Sequence, residues 1–496
     1  MRIPLNHQSP MPLYQQIKSY LRENILTGQL APETRLPATR QLAHELGVSR
    51  ITVNNAYATL ESEGLLISRE GSGTYVLAHG IRAVQASTPN QAWPLWQQEL
   101  KRGPATTYEA TLSPTGRLTR HPQLNSFTGV GDPREFPLKT FSKAMQSVMQ
   151  RDGIAALEYG EFNQGYMPLR TTLTHVLASQ GIQAHPDQIL ITTGSQQALA
   201  LVCQVLLKPG DVVLVESPTY NYALELFRSL DLKIVGIPLD DQGMQTALLE
   251  SLLQQHHPQL IYTIPNFQNP SGACLSGARR RQLVTLANRY NAPILEDDFV
   301  GDLRYEGRAL PALKALDPGG SVIYTGTFSK MLMPGLRVGF LVATGPVFAR
   351  LVDCKRVNDL ATSTLMQRTL EAYVNVGQYQ AHLRRSCRLY RKRRDAIMTA
   401  VKRYLPVETQ VDPPQGGLFI WLRLPQNQSS LELLPIALAE GMEFAPGWRF
   451  FPNPADGEPY LRLNFATQTP EEIEQGIQRL GVAIDKAQKR TSRRRT

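Results

Sequence analysis

The stretch Thr325-Gly-Thr-Phe-Ser-Lys330-Met-Leu-Met-Pro-Gly-Leu-Arg337 decides how the larger part of the chain is read. It lies between two short runs rich in β-branched and aromatic residues, 321–326 and 337–342, so it reads as a loop after a strand. Lys330 sits among the hydroxyls of Thr325, Thr327 and Ser329, seven residues before Arg337. An amine in that setting is suited to forming a Schiff base with an aldehyde.

Outward from this loop, short apolar runs alternate with helical patterns. The strand expectations are 188–193, 211–216, 232–237, 260–265, 292–297, 321–326 and 337–342, which gives an α/β fold with a mainly parallel, seven-stranded sheet. Ligands of such sheets bind beyond the carboxyl ends of the strands, and polar residues collect there. Gly194-Ser195-Gln196-Gln197 opens a helix at 195–207, whose free N–H groups form an anion site, although a simple turn has the same sequence. Tyr220 follows the next strand and either stacks on a flat ligand or packs. Asn269, in Pro265-Asn-Phe-Gln-Asn269-Pro-Ser-Gly272, either bonds a phenolic oxygen or favours the turn. Asp297 ends Ile294-Leu-Glu-Asp297 and either keeps a pyridine nitrogen protonated or is a charge just past a strand. Arg337 adjoins a glycine turn and either pairs with a phosphate or lies exposed. Together they supply the Schiff-base lysine, ring-nitrogen carboxylate, phenolate partner, stacking ring and phosphate cup that a pyridoxal 5′-phosphate (PLP) site requires, in one order along successive strand ends.

The first 77 residues have a different grammar. Leu13, Ile17, Leu21 and Ile25 recur every four residues, which predicts a helix over 12–27. A second helix is expected over 39–46 and a third over 50–63, with Gly47 in the turn and Ser49 as N-cap. Val53, Ala56, Tyr57 and Leu60 form the buried face of the third, while Arg50, Thr52, Asn54 and Asn55 occupy its exposed N-terminal end. Short strands at 65–67 and 74–76 flank Arg69-Glu-Gly71-Ser-Gly73. Helix, helix, tight turn, helix and Gly-rich hairpin describe a winged helix-turn-helix, in which the third helix enters the major groove. A small helical protein-binding domain shares the same outline.

Between the two parts, residues 78–124 carry Pro89, Pro94, Pro104, Pro114 and Pro122 without sustained periodicity, the composition of an extended linker. The 496 residues carry a net charge of +10, a balance compatible with nucleic acid. The excess does not lie in residues 1–80, which hold seven Lys+Arg against six Asp+Glu. It lies in Arg384–Arg394, read as the solvated face of a long helix, and in a basic tail at 486–496, read as disordered. Cys203, Cys274, Cys354 and Cys387 are far apart, so neither zinc nor a disulfide framework is indicated and no metal is expected. No run of about 18 apolar residues exists and the N-terminus lacks a signal core, so the expected location is cytoplasmic, with no membrane partner.

Pro12-Leu-Tyr-Gln-Gln-Ile17, Leu36-Pro-Ala-Thr-Arg40-Gln-Leu-Ala43, Gly47-Val-Ser-Arg50-Ile-Thr-Val53 and Glu63-Gly64-Leu-Leu resemble the GntR family of bacterial repressors. By that resemblance Arg40, Ser49, Arg50, Thr52 and the wing at Gly71 and Gly73 contact operator DNA, and Asn54 stands where many relatives carry arginine. Residues 125–485 resemble fold type I aminotransferases, a PLP-dependent transferase fold with a small C-terminal domain. The whole chain is thus similar to MocR-type (GntR/MocR) transcriptional regulators, organised as 1–77, 78–124, 125–485 and 486–496. The resemblance implies that Lys330 bonds PLP as a Schiff base, Asp297 pairs with the pyridine nitrogen, Asn269 with the ring oxygen, and Tyr220 stacks on the ring. It implies that Ser195, Gln196, Thr327 and Arg337 hold the phosphate, that Arg462 grips a substrate or effector carboxylate, and that Tyr159 reaches the partner subunit's phosphate in a homodimer. Phe299 departs from the pattern, because family members often carry a tyrosine two residues past the aspartate. The expected function is a DNA-binding regulator whose aminotransferase-like domain senses PLP or an amino compound through an aldimine. A working aminotransferase with an accessory DNA-binding domain uses the same lysine, aspartate and arginine, and residual transaminase activity is compatible with both.

Overall fold

A computed structural model describes residues 3–6, 9, 11–69, 72–77, 124–129, 131–160, 164–425 and 428–495. The chain divides into two units, Met1–Arg117 and Leu118–Thr496. The linker expected over 78–124 therefore lies, apart from residue 124, outside the described residues, as does Gly71 of the wing.

In the first unit the helices are Leu13–Leu26, Thr39–Leu46 and Arg50–Ser62, and the hairpin pairs Leu66–Arg69 antiparallel with Gly73–Val76. Each bound falls within two residues of its expectation, because the apolar spacing is dictated by one small core. Ile17, Leu21, Ile25, Leu42, Val53, Ala56 and Leu60 are fully buried in it. Gly47 ends the second helix with φ +64°, a conformation that favours glycine. Two residues later Ser49 Oγ accepts the Thr52 N–H at 3.1 Å, so the third helix starts with a satisfied cap.

In the second unit the seven expected strands are all present. Their order across the sheet is Ile189–Thr192, Gly339–Val342, Val322–Thr327, Ile294–Asp298, Leu260–Thr263, Val212–Ser217 and Lys233–Asp240. A two-residue strand, Gly243–Met244, adds an antiparallel eighth at the edge. Gly339–Val342 is antiparallel to both of its neighbours, and the ladders among the other six are parallel. Most central positions are buried on both faces, so these strands read as near-continuous apolar runs. The C-terminal part forms a separate four-stranded sheet, Gln410–Val411, Phe419–Arg423, Tyr460–Asn464 and Ala445–Pro446, with the long helices Gln378–Tyr404 and Pro470–Arg495 packed against each other. Asn125–Ser126 pairs with Met442–Glu443, so the start of this unit belongs to its C-terminal part.

Two readings of the basic segments need correction. Arg384, Arg385, Arg388, Arg391 and Lys392 are not buried, as expected for a solvated face, but Arg393 and Arg394 are buried. They fall three and four residues after buried Tyr390 and before buried Ile397, on the inward stripe of the helix. Arg393 is paired with Asp132 at 2.8 Å, and Arg394 donates to Glu306 at 2.5 Å and to the Pro414 carbonyl at 2.8 Å. The basic tail is not disordered: its backbone continues the final helix to Arg495. Among the described residues no helix is long and apolar enough to cross a membrane, and no group of His, Cys, Asp or Glu is arranged to hold a metal ion.

Candidate cofactor site and nucleic-acid interface

Lys330 stands just past the end of Val322–Thr327, near the middle of the sheet. Burial pulls its ammonium down to about 8, Arg462 and Arg337 push it the same way, and Asp297 opposes them. The three residues that act on Lys330 come from segments 33 residues before it and 7 and 132 residues after it, so the sheet has assembled what the chain keeps apart.

Asp297, in the adjacent strand, is buried, and its carboxyl is raised to about 7 by that burial. Its Oδ2 accepts the Tyr262 hydroxyl at 2.9 Å. Its Oδ1 is buried without a hydrogen-bond partner among the described residues. An orphaned buried carboxylate oxygen is costly, and a protonated ring nitrogen is a donor that would satisfy it.

The anion cradle is equally specific. Gly194 has φ +117°, and a Cβ there would meet Arg337 Nη2 at 2.8 Å. A Cβ on Gly339 would meet the Ser195 amide nitrogen at 3.0 Å. Two glycines thus let the Arg337 guanidinium and the N-terminus of helix Ser195–Leu206 approach one point. Arg337 Nη1 lies 3.5 Å from Ser329 Oγ, and Thr327 Oγ1 accepts the Ser329 N–H at 3.1 Å. Gln196, on the first turn, reaches the Tyr222 carbonyl at 3.4 Å. An arginine, a hydroxyl and free helix amides suit a phosphate dianion.

Asn269 and Arg462 meet directly: Arg462 Nη1 donates to Asn269 Oδ1 at 2.8 Å. The Arg462 head is not in solvent. It lies 4.1 Å from the Phe419 ring centroid and 4.9 Å from that of Phe450, and burial lowers it to about 10. Its Nε has no partner among the described residues, so the site holds a desolvated cation with donor capacity to spare. Phe299 stacks on Phe419 at 6.3 Å and 21°, which makes its phenyl part of the wall behind Arg462. Tyr220 is largely buried and its hydroxyl is pushed up, first by burial and then by Asp297.

Sequence reading missed the residues that hold these in place. Glu216 accepts the Thr263 hydroxyl at 2.6 Å, the Ile264 N–H at 3.1 Å and the Gln268 amide at 3.1 Å. Gln268 also donates to the Pro218 carbonyl at 2.7 Å. The pair clamps the loop bearing Asn269 to the loop bearing Tyr220. Tyr262, Phe419 and Phe450 were missed because each reads as an ordinary core aromatic. Tyr159 is not gathered into the Lys330 site; it is 75% exposed and lines a separate cavity of about 780 Å³ with Tyr166, Lys355, Thr362 and Arg368.

In the first unit, Arg40, Arg50 and Asn54 are exposed, and Thr52 shares a 2.8 Å hydrogen bond with Ser49 at the helix start. Gly73 has φ +118°, so the wing needs glycine for its backbone conformation. Helix N-terminus and hairpin supply the parts with which a winged helix meets DNA.

The family model of bacterial regulatory proteins, gntR family, matches residues 13–76, and that of aminotransferase class I and II matches residues 129–480. "Uncharacterized HTH-type transcriptional regulator YisV" of Bacillus subtilis is 33% identical over 475 residues, covering 95% of this chain and 96% of that protein. "Probable rhizopine catabolism regulatory protein MocR" of Rhizobium meliloti is 32% identical over 488 residues, covering 97% and 95%. The crystal structure of LysN, the α-aminoadipate aminotransferase of Thermus thermophilus, complexed with N-(5′-phosphopyridoxyl)-L-leucine, superposes with a TM-score of 0.69 at 35% identity. The match covers 74% of this chain and 93% of that one. The aminotransferase family model thus lies within the second unit, whereas the two regulators match nearly the whole chain.

Proposed function

We infer that this chain, which belongs to the MocR-type GntR regulators with a class I and II aminotransferase domain, is a PLP-dependent, DNA-binding regulator of transcription. The observation that carries the reading is the coexistence in one polypeptide of a winged helix-turn-helix unit and an aminotransferase-like unit that gathers Lys330, Asp297, Arg337 and Arg462. A plain aminotransferase has no use for the first.

PLP, when bound, supplies an aldehyde for an amine and a ring that withdraws electrons. The chain's own residues do the rest. Lys330, lowered to about 8, is a neutral amine in a useful fraction of molecules near neutral pH. Asp297 offers its unpartnered Oδ1 to the ring nitrogen and holds a proton there. Arg337, Ser195, Gln196 and Thr327 hold the phosphate, Tyr220 covers the ring, and Asn269 faces the ring oxygen. Arg462 selects ligands that carry a carboxylate, so the effector class is an amino acid or a related amino compound, with PLP itself as the other candidate. A ligand alters DNA affinity only through its differential affinity for two states of the protein. The acting form is a homodimer: Ile154, Leu157, Tyr159, Val357 and Leu360 are all more than half exposed on the second unit and supply apolar surface for a second copy. Tyr159 then reaches the partner's phosphate.

The deciding experiment measures binding of the full chain to duplexes selected from a random pool, with and without PLP and then with individual amino acids, while the visible spectrum is followed. A spectral change and a change in DNA affinity at the same ligand concentration support the reading. Absence of DNA binding under every condition overturns it. Turnover of an amino acid and a keto acid at enzyme-like rates, with DNA affinity indifferent to PLP, favours the aminotransferase alternative.

A further inference from the structure

Phe450, whose ring lies 4.9 Å from the Arg462 guanidinium, stands on a short turn, Gly447–Phe450, and not on a strand. On one side the turn is held by close glycine packing, because a Cβ on Gly447 would collide with the Gly457 carbonyl. On the other side three successive carbonyls are held by a single distant segment. Phe450 accepts the Thr219 N–H at 2.7 Å. Arg228 Nη2 donates to the Phe451 and Pro452 carbonyls, both at 3.1 Å. One bond at Phe450 leaves a pivot; two more, one and two residues on, remove it. Thr219 and Arg228 bracket Tyr220, the N-cap of the helix Asn221–Ser229 on which Arg228 lies. Arg228 is half-buried, and burial lowers its guanidinium while Glu225 opposes the shift. Among the described residues it has no salt-bridge partner. A cation bonded to peptide carbonyls in this way fixes backbone rather than neutralising a charge.

We propose that Arg228 is a positioning residue for the effector site: by fixing the Phe451 and Pro452 carbonyls it seats the Phe450 ring against Arg462. The ring keeps water from the guanidinium, and a carboxylate is drawn more strongly to a cation in a drier setting. When the turn drifts, water enters and competes for Arg462. Arg228 itself bonds neither Arg462 nor Lys330, so its effect falls on the grip of the carboxylate and not on the capture of PLP. The helix that carries it does not depend on it, since Ala223, Leu224 and Phe227 are fully buried and hold that helix, with Tyr220 at its start, in the core. The assignment rests on the reading of Arg462 as the anchor of an effector carboxylate and deepens it by naming the residue that keeps the anchor dry.

The test compares Arg228→Met, Arg228→Lys and Phe450→Ala with the wild type, each as full-length, PLP-loaded protein. The probes are the standard amino acids, titrated singly while the visible spectrum is followed. In Arg228→Met the midpoint for every responding amino acid should rise about tenfold, with PLP retention on gel filtration unchanged. Arg228→Lys keeps one donor for the two carbonyls, so its midpoint should rise only about threefold; it carries the test alone if the methionine variant does not fold. Phe450→Ala should raise the midpoint at least as far as Arg228→Met, and the double variant no further than Phe450→Ala alone, because the arginine acts through the ring. An unchanged midpoint in both Arg228 variants, or full additivity in the double variant, overturns the assignment while the effector reading stands. Parallel loss of PLP retention and amino-acid affinity also overturns it, since Arg228 would then support the whole helix of Tyr220. A wild-type spectrum that answers to PLP but to no amino acid overturns the assignment and the amino-acid effector together, and leaves PLP itself as the signal.

Discussion

The third helix and the Lys330 pocket carry the two halves of the chemistry, and they are built in opposite ways. The helix displays its working side chains to water from residues 50–58, one continuous stretch of sequence. The pocket collects Ser195, Tyr220, Asn269, Asp297, Lys330, Arg337 and Arg462 from ends of separate elements and buries Asn269, Asp297 and Arg462 among them. On the proposed reading the helix recognises DNA by shape and hydrogen-bonding pattern. Burial instead moves Asp297 up to about 7 and Lys330 down to about 8, so the proposed chemistry of the pocket rests on shifted protonation. A surface reader tolerates substitution one residue at a time; a buried constellation does not.

The sharpest way to break this contrast is Lys330→Ala. The visible absorption retained by the PLP-loaded protein after gel filtration is expected to vanish completely, while the circular dichroism of the chain is unchanged; retained colour would remove Lys330 from its role. Next in size is Arg462→Leu. Truncating a buried, hydrogen-bonded cation costs about 2–5 kcal/mol of ligand binding. The concentration of amino acid needed for a spectral change should therefore rise at least about thirtyfold, with PLP affinity little altered. A titration with amino acids checks it, and an unchanged midpoint would place the carboxylate elsewhere. On the exposed side Arg50→Ala should weaken DNA binding only about tenfold and lower the salt dependence by about one phosphate contact, read from affinity against salt concentration.

Two smaller effects probe the protonation argument itself. The rate at which cofactor-free protein captures PLP should rise with pH through about 8 and level off above it, because only the neutral Lys330 amine attacks and its proton is lost over that range. A stopped-flow pH series measures this, and a profile still climbing steeply through about pH 10, the range of an ordinary lysine, would mean that burial does not lower the amine. Phe299→Tyr adds a hydroxyl beside Phe419 in the wall behind Arg462. It should shift the spectral pH titration by about one unit or less, and an unmoved titration would deny Phe299 any part in tuning the site.

What the sequence alone determined is what depends on periodicity and local chemistry. Helices with one apolar stripe, strands that are apolar throughout, the Gly47 turn and the Ser49 cap are written in neighbouring residues, and they fell within two residues of expectation in the first unit. The residues proposed for the cofactor were legible as candidates, because most of them follow a strand end, where parallel sheets place their ligands. Only the tertiary structure decided the partners of those residues. Glu216 became a clamp, Tyr262 a donor to Asp297, and Phe419 and Phe450 the walls around Arg462, through contacts between residues 12 to 52 positions apart. Likewise Arg393 and Arg394, indistinguishable in sequence from their neighbours, were turned inward by the phase of their helix against a core that no local pattern reveals. Spacing along the chain fixes which face a side chain occupies, but desolvation and pairing depend on what the fold brings opposite that face, and those interactions are long-range.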